Sequence, residues 1–203
     1  MAILENRVII NRINDVPRTC AWKARDRSWD QVNTIVVHQT DSSCREAETQ
    51  IIDTANYHIN SRGWCSIGYH IFIDQYGKIF QVNNLKDRAA HAGNDNDYSI
   101  GIVICGDHRI DDGTINTDII PKKQYNALVW TLAHIQNLYP QFNNIIGHTD
   151  VSTSGKSCPN LHLGELRSDV KKKRLMKLIT KWVFIAFLFG SIVAIGRKIL
   201  YYN

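Results

Sequence analysis

Ile67-Gly68-Tyr69-His70-Ile71-Phe72-Ile73, followed by Asp74-Gln75-Tyr76-Gly77 and then Lys78-Ile79-Phe80-Gln81-Val82, is the stretch that decides the fold class. Two apolar runs rich in β-branched and aromatic residues flank four residues of turn chemistry, which predicts a β-hairpin. Upstream, Thr34-Ile35-Val36-Val37 reads as a buried strand ending at His38. Residues 45–60 repeat Ala47, Ile51, Ala55 and Ile59 at a spacing of four, with Ile52 alongside, and predict a helix that Gly63 closes. Downstream, residues 99–105 form a continuous apolar run suited to the middle of a sheet covered on both faces. Pro121 opens a second helix to about Tyr139, with Tyr125, Leu128, Val129, Leu132 and Ile135 on one stripe. Asn143–Ile146 is a short strand, and a third helix is expected from Leu163 to about Lys177. Strands and helices interleave while one strand pair is a hairpin, so the expected class is α/β, a central mixed β-sheet flanked by helices. Residues 1–32 give little pattern, and 107–120 read as a polar loop.

The chain has 203 residues, enough for one domain plus an appendage. Its 44% hydrophobic and 21% charged residues are those of a globular protein rather than a disordered one. The net charge of +5 would suit a nucleic-acid partner if it were spread over the domain, but it is not. Residues 1–166 hold 15 basic and 18 acidic side chains, a net of −3, whereas 167–203 hold 9 basic and 1 acidic, a net of +8. The basic character belongs to the tail, which argues for anionic lipid and against nucleic acid.

Within that tail, Trp182 to Gly196 is a run of 15 residues without a charge. As a helix it covers roughly 22 Å, and apolar or snorkelling flanks (Leu178, Lys181, Arg197 and Lys198 among them) are needed to approach a hydrocarbon core of about 30 Å. The expectation is a C-terminal transmembrane helix over 182–200. An amphipathic or core helix is the alternative. The expected division is an N-terminal extension over 1–30, a folded domain over 31–168, a basic juxtamembrane segment over 169–181 and the transmembrane helix. Six basic residues between Lys171 and Lys181 precede the run and only Arg197 and Lys198 follow it. That asymmetry keeps the folded domain on the cytoplasmic side, anchored by its C-terminus. The N-terminus lacks the pattern of a signal peptide.

Five cysteines cannot all pair. Cys105, in an apolar strand, is expected as a buried free thiol. Cys20, Cys44 and Cys65 leave room for one disulfide whose partners the sequence does not identify.

The chemistry concentrates in Gly147-His148-Thr149-Asp150-Val151 and Gly155-Lys156-Ser157-Cys158-Pro159-Asn160. Together with His38, His148 and Cys158 make a zinc ligand set of two imidazoles and one thiolate, with a fourth position open, as a catalytic rather than a structural zinc requires. Zinc so held would lower the pKa of a bound water and polarise a carbonyl. Lys156, two residues before Cys158 in an extended loop, points to the same side and could stabilise an oxyanion. Tyr69 could donate a hydrogen bond to that oxyanion. Taken singly, a strand histidine such as His38 is more often a core residue, and a cysteine beside proline a packed thiol. His70 and His134 are expected in packing or at the surface.

Four segments resemble the type 2, zinc-dependent N-acetylmuramoyl-L-alanine amidases, a family that includes phage lysozyme-type amidases and shares its fold with the peptidoglycan recognition proteins. They are Ile35-Val36-Val37-His38-Gln39-Thr40, Arg62 to His70, His91-Ala92-Gly93-Asn94 with Ser99-Ile100-Gly101-Ile102, and the loop from His148 to Cys158. The resemblance covers roughly residues 30–165. It implies that His38, His148 and Cys158 bind zinc, that Tyr69 and Lys156 are catalytic, and that His91 lines the substrate groove. It implies hydrolysis of the amide between N-acetylmuramic acid and L-alanine in peptidoglycan, as in cell-wall lysis; a monomer is expected. The alternatives are a non-catalytic peptidoglycan-recognition module, whose members usually lack the cysteine ligand, and an amidase that recycles muropeptides. The chain departs from the family pattern at Gln39 and Cys65 and in the C-terminal run. Some relatives use a glutamate as general base, but Glu46 and Glu48 are expected to face solvent.

Overall fold

The computed structural model describes residues 7–22, 27–108, 120–152 and 158–200, with side chains described as far as Lys181. A six-stranded mixed sheet runs in the order β1-β4-β3-β5-β2-β6. The strands are β1 (Ile9–Asn11), β2 (Thr34–Gln39), β3 (Ile71–Ile73), β4 (Ile79–Gln81), β5 (Ser99–Ile104) and β6 (Asn144–Gly147). The helices are α1 (Ala47–Arg62), α2 (Lys122–Leu138) and α3 (Leu163–Leu200).

The predicted hairpin forms, with β3 and β4 antiparallel and Phe72 opposite Phe80. Its turn is fixed by Asp74, whose carboxylate accepts from the N–H groups of Tyr76 (2.9 Å) and Lys78 (2.8 Å), and by Gly77 at φ +79°. The two strands are shorter than the apolar runs suggest. β5 pairs in parallel with both β2 and β3 and is buried along its whole length, which is why its sequence is apolar without alternation. β1, invisible to pattern reading, adds in parallel to β4 at the sheet edge.

Alternation along the strands sorts the core onto two faces. Ile71, Ile73, Ile79, Ile100, Ile102 and Ile104 pack with α2 and α3 through Leu128, Leu132, Leu166 and Val170. Phe72, Phe80 and Val103 pack on the other face with Ile51 and Ala55 of α1. α1 starts where the Glu46 carboxylate accepts from Thr49 N–H (2.8 Å) and ends at Gly63, φ +66°, as the sequence predicted. The fourth position of its stripe differs: His58 is buried, whereas Ile59 is only half-buried and Ile52, alongside, is 40% exposed.

Two expectations are corrected here. Cys105 is not a free thiol; it is disulfide-bonded to Cys44, and a second disulfide joins Cys20 to Cys65. Periodicity placed Cys105 in a buried strand, but only the fold brings the loop before α1 against the end of β5. The transmembrane helix over 182–200 is also overturned. Among the described residues no helix is long and apolar enough to cross a membrane. The third helix runs unbroken from Leu163 to Leu200 instead of stopping near Lys177, and its first turns pack on α2. Segment 169–181 is continuous with this helix; Val170 is buried against the domain, while Leu175, Met176, Leu178 and Ile179 are exposed. The 15 charge-free residues that follow, about 22 Å of helix, fall short of the roughly 30 Å a span requires. C-terminal membrane anchoring, and the cytoplasmic placement of the domain that rested on it, are withdrawn.

Candidate metal centre

The site lies beyond the carboxyl ends of the parallel strands, where open α/β sheets hold their ligands. Register explains why. β2 and β6 are parallel with Val37 opposite Gly147, so His38 and His148, one residue further on, become neighbours although they are far apart in sequence. Their rings lie 4.6 Å apart between centroids. His38 is 1% exposed and shares a face with Val103, its β5 partner in the core beneath α1.

Cys158 is brought back onto this pair by Thr149. The Thr149 hydroxyl accepts from Cys158 N–H (2.8 Å) and donates to the Cys158 carbonyl (2.9 Å), which also accepts from Thr149 N–H (2.9 Å). Asp150 closes the short turn by accepting from Gly147 N–H at 3.0 Å. The Cys158 sulfur in turn accepts from Gln39 N–H at 3.4 Å. One potential ligand atom each from His38, His148 and Cys158 lies within 4.8 Å of the others.

These residues fit a soft divalent metal. Burial holds both imidazoles below their usual range, hence neutral, the form in which histidine is a ligand. Burial pushes the Cys158 thiol up to about 11, with Gln39 N–H opposing and the Asp41 charge adding. A thiol so placed ionises when a cation shares its site. Two nitrogens and one sulfur, with no carboxylate in the cluster among the described residues, are a zinc-type donor set.

Tyr69 faces the cluster, its ring 5.1 Å from that of His38. Burial, then the charges of Cys158 and Asp41, push its phenol well above its usual range, so it stays a proton donor at neutral pH. Its segment is held by His58, whose Nδ1 accepts from Gly68 N–H at 3.1 Å. His91 is 6% exposed and its Nδ1 lies 3.2 Å from His38 Nε2. Lys156 lies outside the described residues.

Other expectations resolve into structural roles. His70 is fully buried, donating from Nε2 to the Asp87 carbonyl (2.9 Å) and accepting at Nδ1 from Gly101 N–H (2.9 Å). His134 stacks on Trp130 at 4.6 Å. Glu46 caps α1 and Glu48 pairs with Arg12, so neither serves as a base at the site. Gln39 turns its amide into the protein, its Oε1 accepting from His108 N–H at 3.3 Å. Sequence reading missed Asp41, whose charge reaches both Tyr69 and Cys158. Its one signal was its place three residues after His38, where the chain turns through a positive φ of 56°.

Comparison with known proteins agrees with this geometry. A family model described as N-acetylmuramoyl-L-alanine amidase matches residues 28–161. The chain is 28% identical to peptidoglycan-recognition protein SC1a of Drosophila melanogaster over 153 residues, covering 70% of this chain and 78% of that protein. It is 30% identical to peptidoglycan recognition protein 3 of Mus musculus over 101 residues, 46% of this chain but only 29% of that longer protein. Among solved structures, the Ph2119 endolysin of a Thermus scotoductus bacteriophage superposes with a TM-score of 0.63 at 20% identity, covering 80% of this chain and 99% of that one. The amidase LysC of Clostridium intestinale gives 0.61 at 22%, covering 82% and 99%. At those identities the structural likeness shows the fold alone. The family match spans most of the chain and takes in His38, Tyr69, His148 and Cys158 alike, so this chain belongs to the N-acetylmuramoyl-L-alanine amidase family.

Proposed function

We propose that this protein is a zinc-dependent amidase that cleaves the bond between N-acetylmuramic acid and L-alanine in peptidoglycan, in the service of cell-wall lysis. The observation that carries the reading is the convergence of His38, His148 and Cys158, with donor atoms within 4.8 Å, in a chain of the amidase family. In this reading those three residues hold the ion and His91 lines the groove. Zinc, when bound, supplies a water of lowered pKa and a Lewis acid for the scissile carbonyl. Tyr69, kept protonated by burial, donates a hydrogen bond to the carbonyl oxygen as negative charge develops there. Lys156, two residues before Cys158 in sequence, is the candidate for a second, cationic donor to that oxygen.

A recognition module that binds peptidoglycan without cutting it is the second reading, favoured by the relatives named as recognition proteins. Cys158 separates the two, since a pure binding groove has no need of a third soft donor beside two neutral imidazoles. The test is to incubate the full-length protein with purified peptidoglycan, with and without chelator, and to identify products by mass spectrometry. Free stem peptides beginning with L-alanine, lost with chelator and restored by zinc, are expected. Bound but uncut peptidoglycan in the presence of zinc would establish the recognition module instead.

A further inference from the structure

We infer that His91 is a positioning residue for the metal centre: it accepts a hydrogen bond from His38 Nε2–H and thereby commits His38 Nδ1 to the metal. The inference uses the zinc reading above only for its consequence on affinity, because the hydrogen bond itself is a property of the metal-free chain.

His38 Nε2 and His91 Nδ1 are 3.2 Å apart, and the two rings meet edge to face at 90°. Both rings are buried, and a histidine that holds a metal does so as the neutral ring, through the nitrogen that carries no proton. Only one of the two nitrogens in contact can carry the shared proton. If His91 donated, the lone pair on His38 Nε2 would be spent on that bond and His38 Nδ1 would carry a proton, leaving His38 no nitrogen for an ion. If His38 donates, its Nδ1 lone pair is free, and the proton of His91 resides on Nε2. A histidine ligand whose second nitrogen donates to an outer acceptor is the usual arrangement around metals, fixing both tautomer and ring angle.

The surroundings show that His91 is placed for this. Asn96, 5% exposed, accepts through Oδ1 from the N–H groups of both His91 (3.0 Å) and Ala92 (2.8 Å), pinning the backbone. The ring lies against Gly101 of β5, where a Cβ would stand 2.7 Å from His91 Cγ and 2.9 Å from Nδ1. Glycine in the most buried strand is costly in a sheet, and here it makes the room in which the imidazole reaches His38. The ring of His70 braces it from a third side at 5.5 Å. His91 Nε2 is buried and makes no hydrogen bond among the described residues. On this assignment it is an N–H donor, available to a substrate carbonyl once the groove is filled.

Two variants test the bond. His91→Phe keeps a ring and removes the acceptor; His91→Asn keeps an acceptor oxygen near the place of Nδ1. In ¹⁵N spectra of the metal-free full-length protein, His38 is expected as the Nε2–H tautomer in the parent and in His91→Asn, with that preference lost in His91→Phe. Zinc affinity, read by competition with a chromophoric chelator, is expected to fall about 10–100-fold in His91→Phe and to recover largely in His91→Asn. A parent His38 protonated at Nδ1 overturns the inference, as does a His91→Phe protein that binds zinc as tightly as the parent. A parent with the expected tautomer but no zinc affinity would instead sink the metal reading and leave the hydrogen bond standing.

Discussion

At the scale of single residues, the site is a set of groups held out of their usual solution behaviour by burial. His38 and His148 are kept neutral, the Tyr69 phenol is kept protonated, and the Cys158 thiol is raised to about 11. Removing one donor should therefore abolish metal binding without emptying the core, because Cys158 lies beyond the strand ends and only its sulfur is exchanged. Cys158→Ser is expected to keep its unfolding midpoint in the absence of metal. Its activity should fall by more than the roughly 10–100-fold that losing a ligand's outer hydrogen bond costs. Parental activity would remove Cys158 from the ligand set. Lys156→Ala is expected to retain zinc stoichiometry while kcat drops about 10²–10³-fold, the usual effect of deleting one oxyanion donor. An unchanged kcat would exclude Lys156 from the chemistry.

At the scale of elements, the parallel strands β3, β5, β2 and β6 set the geometry and the loops at their carboxyl ends carry the chemistry. The loop between His38 and α1 is tied down at several points. Asp41 N–H donates to the Gly106 carbonyl (3.1 Å), Gly106 N–H donates to Thr40 Oγ1 (2.9 Å), and Cys44 is bonded to Cys105 across 61 residues. Gln124 of α2 donates to the Cys105 carbonyl at 2.9 Å, so the crosslink joins elements on both faces of the sheet. A crosslink closing a loop of that length contributes about 2–4 kcal/mol, chiefly by restricting the unfolded chain. The double variant Cys44→Ala/Cys105→Ala should lose about that much in urea unfolding. An unchanged midpoint would mean that the bond does not stabilise the fold.

At the scale of the whole molecule, stability should depend on pH through histidines that the fold keeps neutral away from the metal donors. Burial, then the nearby charge of Arg62, lowers His58 to about 4. Burial dominates the lowering of His70 to about 3. Unfolded, both rings titrate near 6.5. Between that value and the folded ones the unfolded chain binds more protons, so stability is fully present above about pH 6.5 and is lost as the pH falls. Each ring contributes a slope of at most about 1.4 kcal/mol per pH unit. Urea unfolding of parent and His58→Asn between pH 8 and 4, both metal-free, isolates one ring by difference. The variant should show the shallower decline, and identical slopes would show that His58 is not held neutral by the fold.

Much of this protein was legible in one sequence because its signals are local. Spacing of four along Ala47, Ile51 and Ala55, the turn chemistry of Asp74 to Gly77 and the apolar run of β5 each report on neighbours a few residues away, which is the range over which helices and hairpins are defined. His148 and Cys158 could be named as candidate donors for the same reason, from residue type and short spacing, and His38 from its place at the end of an apolar run. What the tertiary structure decided are relations across long separations. The parallel register of Val37 with Gly147 puts His38 beside His148, and Thr149 draws Cys158 in. Packing pairs Cys44 with Cys105, which periodicity had assigned to a lone buried thiol. It also brings the Asp41 charge near Tyr69 and seats the first turns of α3 on α2, from which the helix continues unbroken through its basic stretch. Periodicity records which side of its own element a residue occupies; which elements then meet is settled only when both faces of the sheet are covered.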